Sequence, residues 1–222
     1  MSKNKNTQKK AKKVREKFLG FTKSTSMEIL QGKITQEHLF EIHYPKFLSM
    51  MEKALKAFRE SAPNPVACKI KCDACCHHLI GMAPIEAAYI WYSLKKNVSP
   101  EILEKVEDSS NKAHKFEFQV RNEYPDDPGR QAIKFQSMNI PCPLLKEDKT
   151  CMVYDQRPMI CRYHCVISNP KFCYVLNPKG QKKVWQDMDM MRENVMFQRF
   201  LSHYYLQTDQ MGTLNELLIK FK

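Results

Sequence analysis

Nine cysteines lie in two short stretches of this 222-residue chain, and they constrain its fold more than any other feature. The first stretch begins at residue 68 with CKIKCDACCHH, and the second extends from residue 142 to residue 173. The cysteines are Cys68, Cys72, Cys75, Cys76, Cys142, Cys151, Cys161, Cys165 and Cys173. Thiolates are preferred ligands of zinc, copper(I) and iron–sulfur clusters. The pattern therefore predicts a metal site that joins the two stretches.

Disulfide bonds are the main alternative use of these cysteines. They form in oxidising compartments, and the N-terminal residues lack the apolar segment of a secretory signal peptide. The count of nine is odd, so a disulfide framework would leave at least one thiol over. We therefore expect reduced thiols in a cytoplasmic protein.

The first stretch limits how the ligands can be shared. The spacing of Cys68, Cys72 and Cys75 allows three sulfurs to reach one centre. Cys75 and Cys76 are adjacent, and neighbouring side chains of an extended segment point to opposite sides. Either Cys76 serves a second metal, or the site is polynuclear, or one of the pair is not a ligand.

The second stretch predicts local structure that would gather its own cysteines. The sequence CPLLKEDKTCMVY is typical of a small β-hairpin with a polar turn, which would bring Cys142 and Cys151 together at its base. Pro158 then predicts the start of a short helix. Cys161 and Cys165 are four residues apart, so on a helix they would share one face and both could meet one metal.

Five polar side chains beside the cysteines are candidates for supporting roles around the metal: His77, His78, Arg157, Arg162 and His164. An imidazole could replace a thiolate as ligand, although the many thiols favour a role as hydrogen-bond donor or exposed ring. Arg157 and Arg162 flank Cys161 and could offset the negative charge of a thiolate-rich centre. Ordinary salt bridges are the alternative for both arginines.

The joint pattern of C-x3-C-x2-CC, then CPLL, then CMVYDQRPMICR resembles the YkgJ-type cysteine-cluster family of zinc- or iron-chelating domains. The resemblance covers about residues 68 to 173. It implies chelation of zinc or iron by the matching cysteines up to Cys161, with Cys173 as the family's last cysteine, whereas Cys165 has no clear counterpart. The family has no single assigned reaction. Flagellin lysine methylases resemble longer relatives with a similar cluster, which keeps an enzymatic function open.

Helical patterns surround the cysteine stretches. Pro84 and the sequence Ser99-Pro100 predict helix starts, the latter running to about residue 122, and capping boxes are expected at Thr25 and Thr213. We predict a mainly α fold with a small β-hairpin, in which an irregular, metal-organised cysteine-cluster core packs on helices. The predicted parts are a basic, mobile tail (1–23), a helical segment (24–62), the cysteine-cluster metal-binding domain (63–176) and C-terminal helices packing on it (177–222).

Charge and composition restrict the partners. Residues 1–17 carry seven lysines and one arginine against a single acid, which accounts for most of the net charge of +12. Nucleic acid could bind through this tail alone, and a solvated, mobile terminus is the alternative. The sequence contains no run of about 20 apolar residues, so no membrane span is predicted.

Three functions remain open from the sequence. The first is a protein that binds zinc or iron, with an iron–sulfur or polynuclear centre among its forms. The second is a metalloenzyme that modifies protein side chains, for which no catalytic residue can be named. The third is a metal-stabilised adaptor whose basic tail meets nucleic acid. A protein partner or a protein substrate is also left open.

Overall fold

The computed structural model describes residues 2–60, 65–174 and 188–222, and helices make up most of them, as the sequence predicts. The helices are α1 (Ser2–Leu30), α2 (Gln36–His38), α3 (Tyr44–Glu60), α4 (Pro84–Asn97), α5 (Pro100–Glu123), α6 (Pro128–Ser137), α7 (Met159–Tyr163), α8 (Lys171–Tyr174), α9 (Met188–Leu206) and α10 (Leu214–Lys220). A π-helical turn (Leu39–His43) joins α2 to α3, and a 3-10 turn (Ala74–His77) lies in the first cysteine stretch. Two short strands, β1 (Gly81–Met82) and β2 (Gly212–Thr213), pair antiparallel.

The basic N-terminal segment belongs to one long helix, α1, and the mobility predicted for residues 1–23 stays a prediction. Phe18 is fully buried, and its ring centroid lies 5.6 Å from that of Phe47 on α3. Thr25 is buried within α1, so the capping box expected there does not begin a helix. The helix ends in a Schellman motif that depends on Gly32, whose φ of 69° suits a residue without a side chain.

Helix α4 lies between two hydrophobic cores. Ile85 and Tyr89 pack in the core formed with α1, α3 and α9. Ile90 and Leu94 pack in the core formed with α5, α10 and the second cysteine stretch. The indole N–H of Trp91 donates to a backbone carbonyl of α10 over 2.6 Å, so the C-terminal helix is fixed to the same element.

The C-terminal helix begins as predicted. The hydroxyl of Thr213 accepts the backbone N–H of Glu216 over 3.3 Å, and the Glu216 carboxylate accepts the N–H of Thr213 over 3.4 Å. This reciprocal capping box satisfies two N–H groups that a helix start otherwise leaves unpaired. It also holds β2 against β1, which begins directly before α4.

The predicted hairpin is present as a tight turn. Leu145 and Cys151 form an antiparallel bridge, and Lys146 N–H donates to the carbonyl of Thr150 over 2.9 Å. The β1–β2 pair is a separate feature, because it joins segments that are far apart in the chain.

Some predictions fall outside the described residues. The domain boundaries predicted after residues 62 and 176 are among them. The domain division therefore stays a prediction. Within the described ranges, no helix combines the length and the apolar composition needed to cross a membrane.

Candidate metal centre

All nine cysteines are free thiols in the structure, with Cys165 and Cys173 buried and the other seven half-buried. They come from the loop before β1, the hairpin, α7, the segment after α7, and α8. A backbone hydrogen bond of 2.7 Å from Cys142 N–H to the carbonyl of Cys76 ties the hairpin to the first stretch. The two cysteine stretches thus meet in space, as the metal prediction requires.

Four thiols lie close enough to influence one another's ionisation, and we call them the inner thiol group: Cys75, Cys142, Cys151 and Cys161. Burial raises the pKa of Cys142 and of Cys161, and the charges of the other inner thiols raise both further. The reason is electrostatic: each thiolate disfavours a second negative charge nearby in a poorly solvated site. A bound cation would reverse this effect and favour deprotonation of the whole group.

Backbone amides point at two of these sulfurs. The N–H of Leu144 bonds the sulfur of Cys142, and the N–H of Val153 bonds the sulfur of Cys151. Both bonds lower the thiol pKa, although burial outweighs them in the metal-free site. Such N–H donors stabilise the thiolate, which is the form of cysteine that binds a metal.

Four other cysteines form what we call the outer thiol group: Cys68, Cys72, Cys165 and Cys173. The charges of Cys165 and Cys72 both act on Cys68, and Cys173 packs against Cys68 and Cys72. Cys68 hydrogen-bonds Cys165, and this contact, with the nearby guanidinium of Arg59, lowers the pKa of Cys165 to about 6. The same contact raises the pKa of Cys68.

Neighbouring backbone fixes the outer thiol group in place. Ala67 N–H donates to the carbonyl of Val166 over 2.8 Å, and Val166 N–H donates to the sulfur of Cys68 over 3.4 Å. Cys173 packs with Cys68 around the buried side chain of Val166. The backbone next to Cys68 is thus hydrogen-bonded to the backbone next to Cys165.

The prediction that Cys161 and Cys165 share a helix face is wrong. Helix α7 ends at Tyr163, and His164 leaves the helical conformation with φ −75° and ψ 91°. Cys161 therefore stays with the inner thiol group, whereas Cys165 is carried beyond the helix to Cys68. Cys165 remains a candidate ligand, but with different neighbours.

The premise used for Cys75 and Cys76 is also corrected. Both lie on the 3-10 turn rather than on an extended segment. Their thiols hydrogen-bond, and this contact raises the pKa of Cys75. The charge of Cys165 also raises the pKa of Cys75, so Cys75 is an inner thiol that lies near the outer thiol group.

The donor set, which is rich in thiols, fits a soft metal. In the part of the chain that the structure describes, no three Cys, His, Asp or Glu side chains converge as a complete metal-binding group. The thiols instead stand in contacting pairs and looser groups, with amide donors already directed at several sulfurs. Zinc or iron would be held by the two thiol groups and would supply the positive charge that they lack.

An arginine cluster borders the thiols. The carboxylate of Glu52 on α3 pairs with Arg59 at 2.7 Å, Arg157 at 3.4 Å and Arg162 at 3.1 Å. Burial disfavours the ionised Glu52, but these arginines outweigh burial and lower its pKa. Three arginines against one carboxylate leave two positive charges in excess beside the thiols. Arg157 and Arg162 were predicted; Arg59 and Glu52 were missed, because they belong to an amphipathic helix distant in the sequence.

Glu86 holds the start of α7, and sequence reasoning missed it as well. Its carboxylate accepts the N–H of Met159, the first residue of α7, over 2.6 Å and the N–H of Ala83 over 2.8 Å. At the other end of α7, the side chain of Asn194 on α9 donates to the hydroxyl of Tyr163 over 2.6 Å. The helix that carries Cys161 is therefore fixed to α4 and α9.

The three predicted histidines lie around the thiols. A ring nitrogen of His78 lies 3.0 Å from the carbonyl oxygen of Cys173, and the ring packs edge-on against His164 with centroids 5.6 Å apart. Nδ1 of His77 is buried without a hydrogen-bond partner. Their roles toward a metal stay a prediction.

A small pocket reaches the edge of the inner thiol group. Its cavity volume is about 10 Å³, enough for one water molecule, and Cys76, His78 and Cys142 line one side. Asn215, which is 7% exposed, lies on the other side, and its Oδ1 has no hydrogen-bond partner. The pocket therefore offers one acceptor beside two thiols.

Comparison with known protein families identifies the family to which this chain belongs. A family model described as "Putative zinc- or iron-chelating domain" (CxxCxxCC) matches residues 67–188, which is more than half of the chain. The chain belongs to the CxxCxxCC family. The match supports a metal-chelating function and a metal ion as the bound cofactor. No curated protein and no solved structure matches the chain.

This CxxCxxCC protein has three residues between its first two cysteines, one more than the family's name describes. The extra residue is accommodated in a turn, in which Cys72 N–H donates to the carbonyl of Lys69 over 3.0 Å. Lys71 adopts a φ of 69° within it, a conformation that non-glycine residues seldom adopt.

Proposed function

We propose that the protein binds zinc or iron through the inner and the outer thiol group, as two linked metal centres in the reducing environment of the cytoplasm. The observation that carries the proposal is the division of eight cysteines into two neighbouring sets of four, the inner and the outer thiol group. Four thiolates complete one tetrahedral zinc site or one iron–sulfur cluster. Cys76, which contacts Cys75, is the remaining thiol and borders the small pocket.

The arginine cluster supports this assignment through charge. Four thiolates exceed the charge of one divalent cation, and the excess is costly in a half-buried site. Arg59 lies beside Cys165, and Arg157 lies near Cys151 and Cys161. Guanidinium groups at these places offset the excess charge while Glu52 fixes their orientation.

Metal binding would also complete the fold. The inner thiol group draws its members from the 3-10 turn, the hairpin and α7, three elements that have few regular backbone contacts with one another. A metal that bonds all three contributes its binding energy to folding, on the order of 10 kcal/mol for structural zinc. Removing the metal should loosen residues 68 to 173 while leaving the N-terminal helices formed.

A metal titration tests the proposal. The metal-free protein is titrated anaerobically with zinc against a coloured chelator, alongside the double variants Cys151→Ser/Cys161→Ser and Cys68→Ser/Cys165→Ser. We expect two tight sites in the natural sequence and one in each double variant. Loss of both sites in both double variants would indicate one shared centre. No zinc uptake by the natural sequence would refute the proposal. Iron with acid-labile sulfide would identify the cluster form.

A metalloenzyme acting on protein side chains is the second candidate, and the small pocket favours it. Catalytic metals keep an open position, and the pocket leaves space for about one water molecule beside Cys76 and Cys142. The protein is loaded with cobalt(II), and its visible spectrum is recorded while azide, a small anion that can replace a metal-bound water, is added. A changed spectrum in the natural sequence, and none in Ile140→Trp, in which a larger side chain fills the pocket, would favour an enzyme. An unchanged spectrum in both would favour closed sites.

A further inference from the structure

A second pocket lies between the second half of α4 and the π-helical turn. It is open to solvent and has a volume of about 350 Å³. Its lining includes Phe40, Glu41, Tyr89, Tyr92, Lys96 and Gln156. This volume is in the range of sites that bind small ligands. The pocket has no part in the proposed metal chemistry.

Three aromatic rings form one wall of this pocket. The ring centroid of Phe40 lies 5.3 Å from that of Tyr92 and 5.5 Å from that of Tyr89. Phe40 and Tyr89 are buried and Tyr92 is half-buried, so Tyr92 presents the accessible ring. A rigid aromatic wall of this kind offers a negative ring face to a cation.

The protein already places a cation on that wall. Nζ of Lys96 lies 4.3 Å from the ring centroid of Tyr92 and 2.8 Å from the carboxylate of Glu41. The hydroxyl of Tyr92 donates to the same carboxylate over 3.0 Å. These contacts raise the pKa of Lys96 and lower that of Glu41, as expected for an ammonium group bound to a carboxylate.

Lys96 is nevertheless easy to displace. Its side chain is 53% exposed and that of Glu41 is 46% exposed, and ion pairs at such positions contribute little to stability. When the flexible lysine side chain swings into solvent, it leaves behind an exposed carboxylate and the face of Tyr92. The site that remains is complementary to another ammonium group.

The backbone on which the site is built points the same way. Phe40 and Glu41 belong to the π-helical turn at residues 39–43. π-helical turns are rare and are frequently found at functional sites. Here the turn brings an apolar ring and a carboxylate, adjacent in the sequence, to one pocket.

We propose that this pocket binds an alkylammonium group, with Tyr92 and Glu41 as its receptors and Lys96 as an internal competitor that occupies the site when no ligand is bound. The ligand's ammonium group takes the position of Nζ, and its alkyl chain follows the aromatic wall. Gln156, between Cys151 and Cys161 in the sequence, lies at the pocket, so a bound ligand also contacts the segment that carries candidate metal ligands.

The test is an NMR titration of the full chain with n-butylammonium, following the backbone amides of Ser93 and Asn97. We expect saturable shifts in the natural sequence and an affinity on the order of tenfold higher in Lys96→Met, because an intramolecular competitor is removed. Lys95→Met, at an exposed position on the same helical turn, should bind like the natural sequence. Glu41→Gln added to Lys96→Met should reverse the gain.

The outcomes separate the possibilities cleanly. No saturable shift in Lys96→Met, or an equal gain in Lys95→Met, would overturn the proposal. A capped tripeptide with a central lysine serves as a second probe. Tighter binding of the peptide than of n-butylammonium would identify a protein side chain as the ligand, and equal binding would identify a free amine. Neither result depends on whether the thiols bind metal.

Discussion

Replacing Glu86 tests how the helical scaffold holds the thiols. Its side chain is buried with the residue 4% exposed, and it is the acceptor for the backbone N–H groups of Ala83 and Met159. Glu86→Ala leaves both donors without a partner, at about 1–3 kcal/mol each. The cavity adds about 1 kcal/mol, and removal of a buried charge offsets part of the total. We expect the free energy of unfolding to fall by about 3–5 kcal/mol.

Glu86→Gln should cost less, about 1–3 kcal/mol, because one oxygen acceptor remains. The pH dependence provides a further check. Burial raises the pKa of Glu86 above its ordinary value of 4.5. A raised pKa in the folded state contributes stability that is fully present below the unfolded pKa and is lost as the pH rises through the folded pKa. The difference between the natural sequence and Glu86→Gln should therefore be largest below about pH 4.5 and should shrink at higher pH.

Urea denaturation of the metal-free protein measures these changes, with an unchanged slope against urea showing that the comparison is sound. Glu104→Gln, at an exposed position on α5, is the matched control and should change stability by less than about 0.5 kcal/mol. A cost below about 1 kcal/mol for Glu86→Ala would refute the reasoning. Zinc affinity should also weaken in Glu86→Ala, because α7 carries Cys161.

Three other substitutions probe particular contacts. Glu52→Gln leaves three arginines without a carboxylate and should lower stability by about 1–3 kcal/mol at pH 7; this loss should vanish in acid melting experiments as the pH falls through the lowered pKa of Glu52. Lys71→Gly should be tolerated within about 0.5 kcal/mol in urea denaturation, whereas Lys71→Val should cost about 1–2 kcal/mol, since φ is 69° there. Gly212→Ala places a Cβ 2.9 Å from Cγ of Leu217 and should lower the melting stability by about 1–3 kcal/mol; an unchanged melting temperature would contradict the close packing.

Local signals in the sequence predicted much of the fold. Proline at the first helical position located the starts of α4 and α5, and the paired Thr213 and Glu216 located α10. The polar turn between Cys142 and Cys151 was also confirmed. Each of these features is decided within a few residues, which is why a single sequence is sufficient.

Features that depend on distant contacts escaped prediction. The Lys-rich start of α1 has no apolar face of its own, and its helix is recognisable only from Phe18 onward, where it packs on α3. Glu86 resembles a solvated residue of an amphipathic helix until its partners from α7 are known. The neighbours of Cys165 depend on the length of α7. Because the predicted helix was about one turn too long, Cys165 was expected beside Cys161, whereas the structure places it beside Cys68.

Metal analysis with a visible spectrum, on protein purified anaerobically, tests the central claim most directly. The account predicts one zinc or iron centre for each of the two thiol groups. The protein should be colourless if it binds zinc, and brown with acid-labile sulfide if it binds iron–sulfur clusters. Protein that is folded, keeps all nine thiols reactive, and takes up neither metal when either is supplied would contradict it.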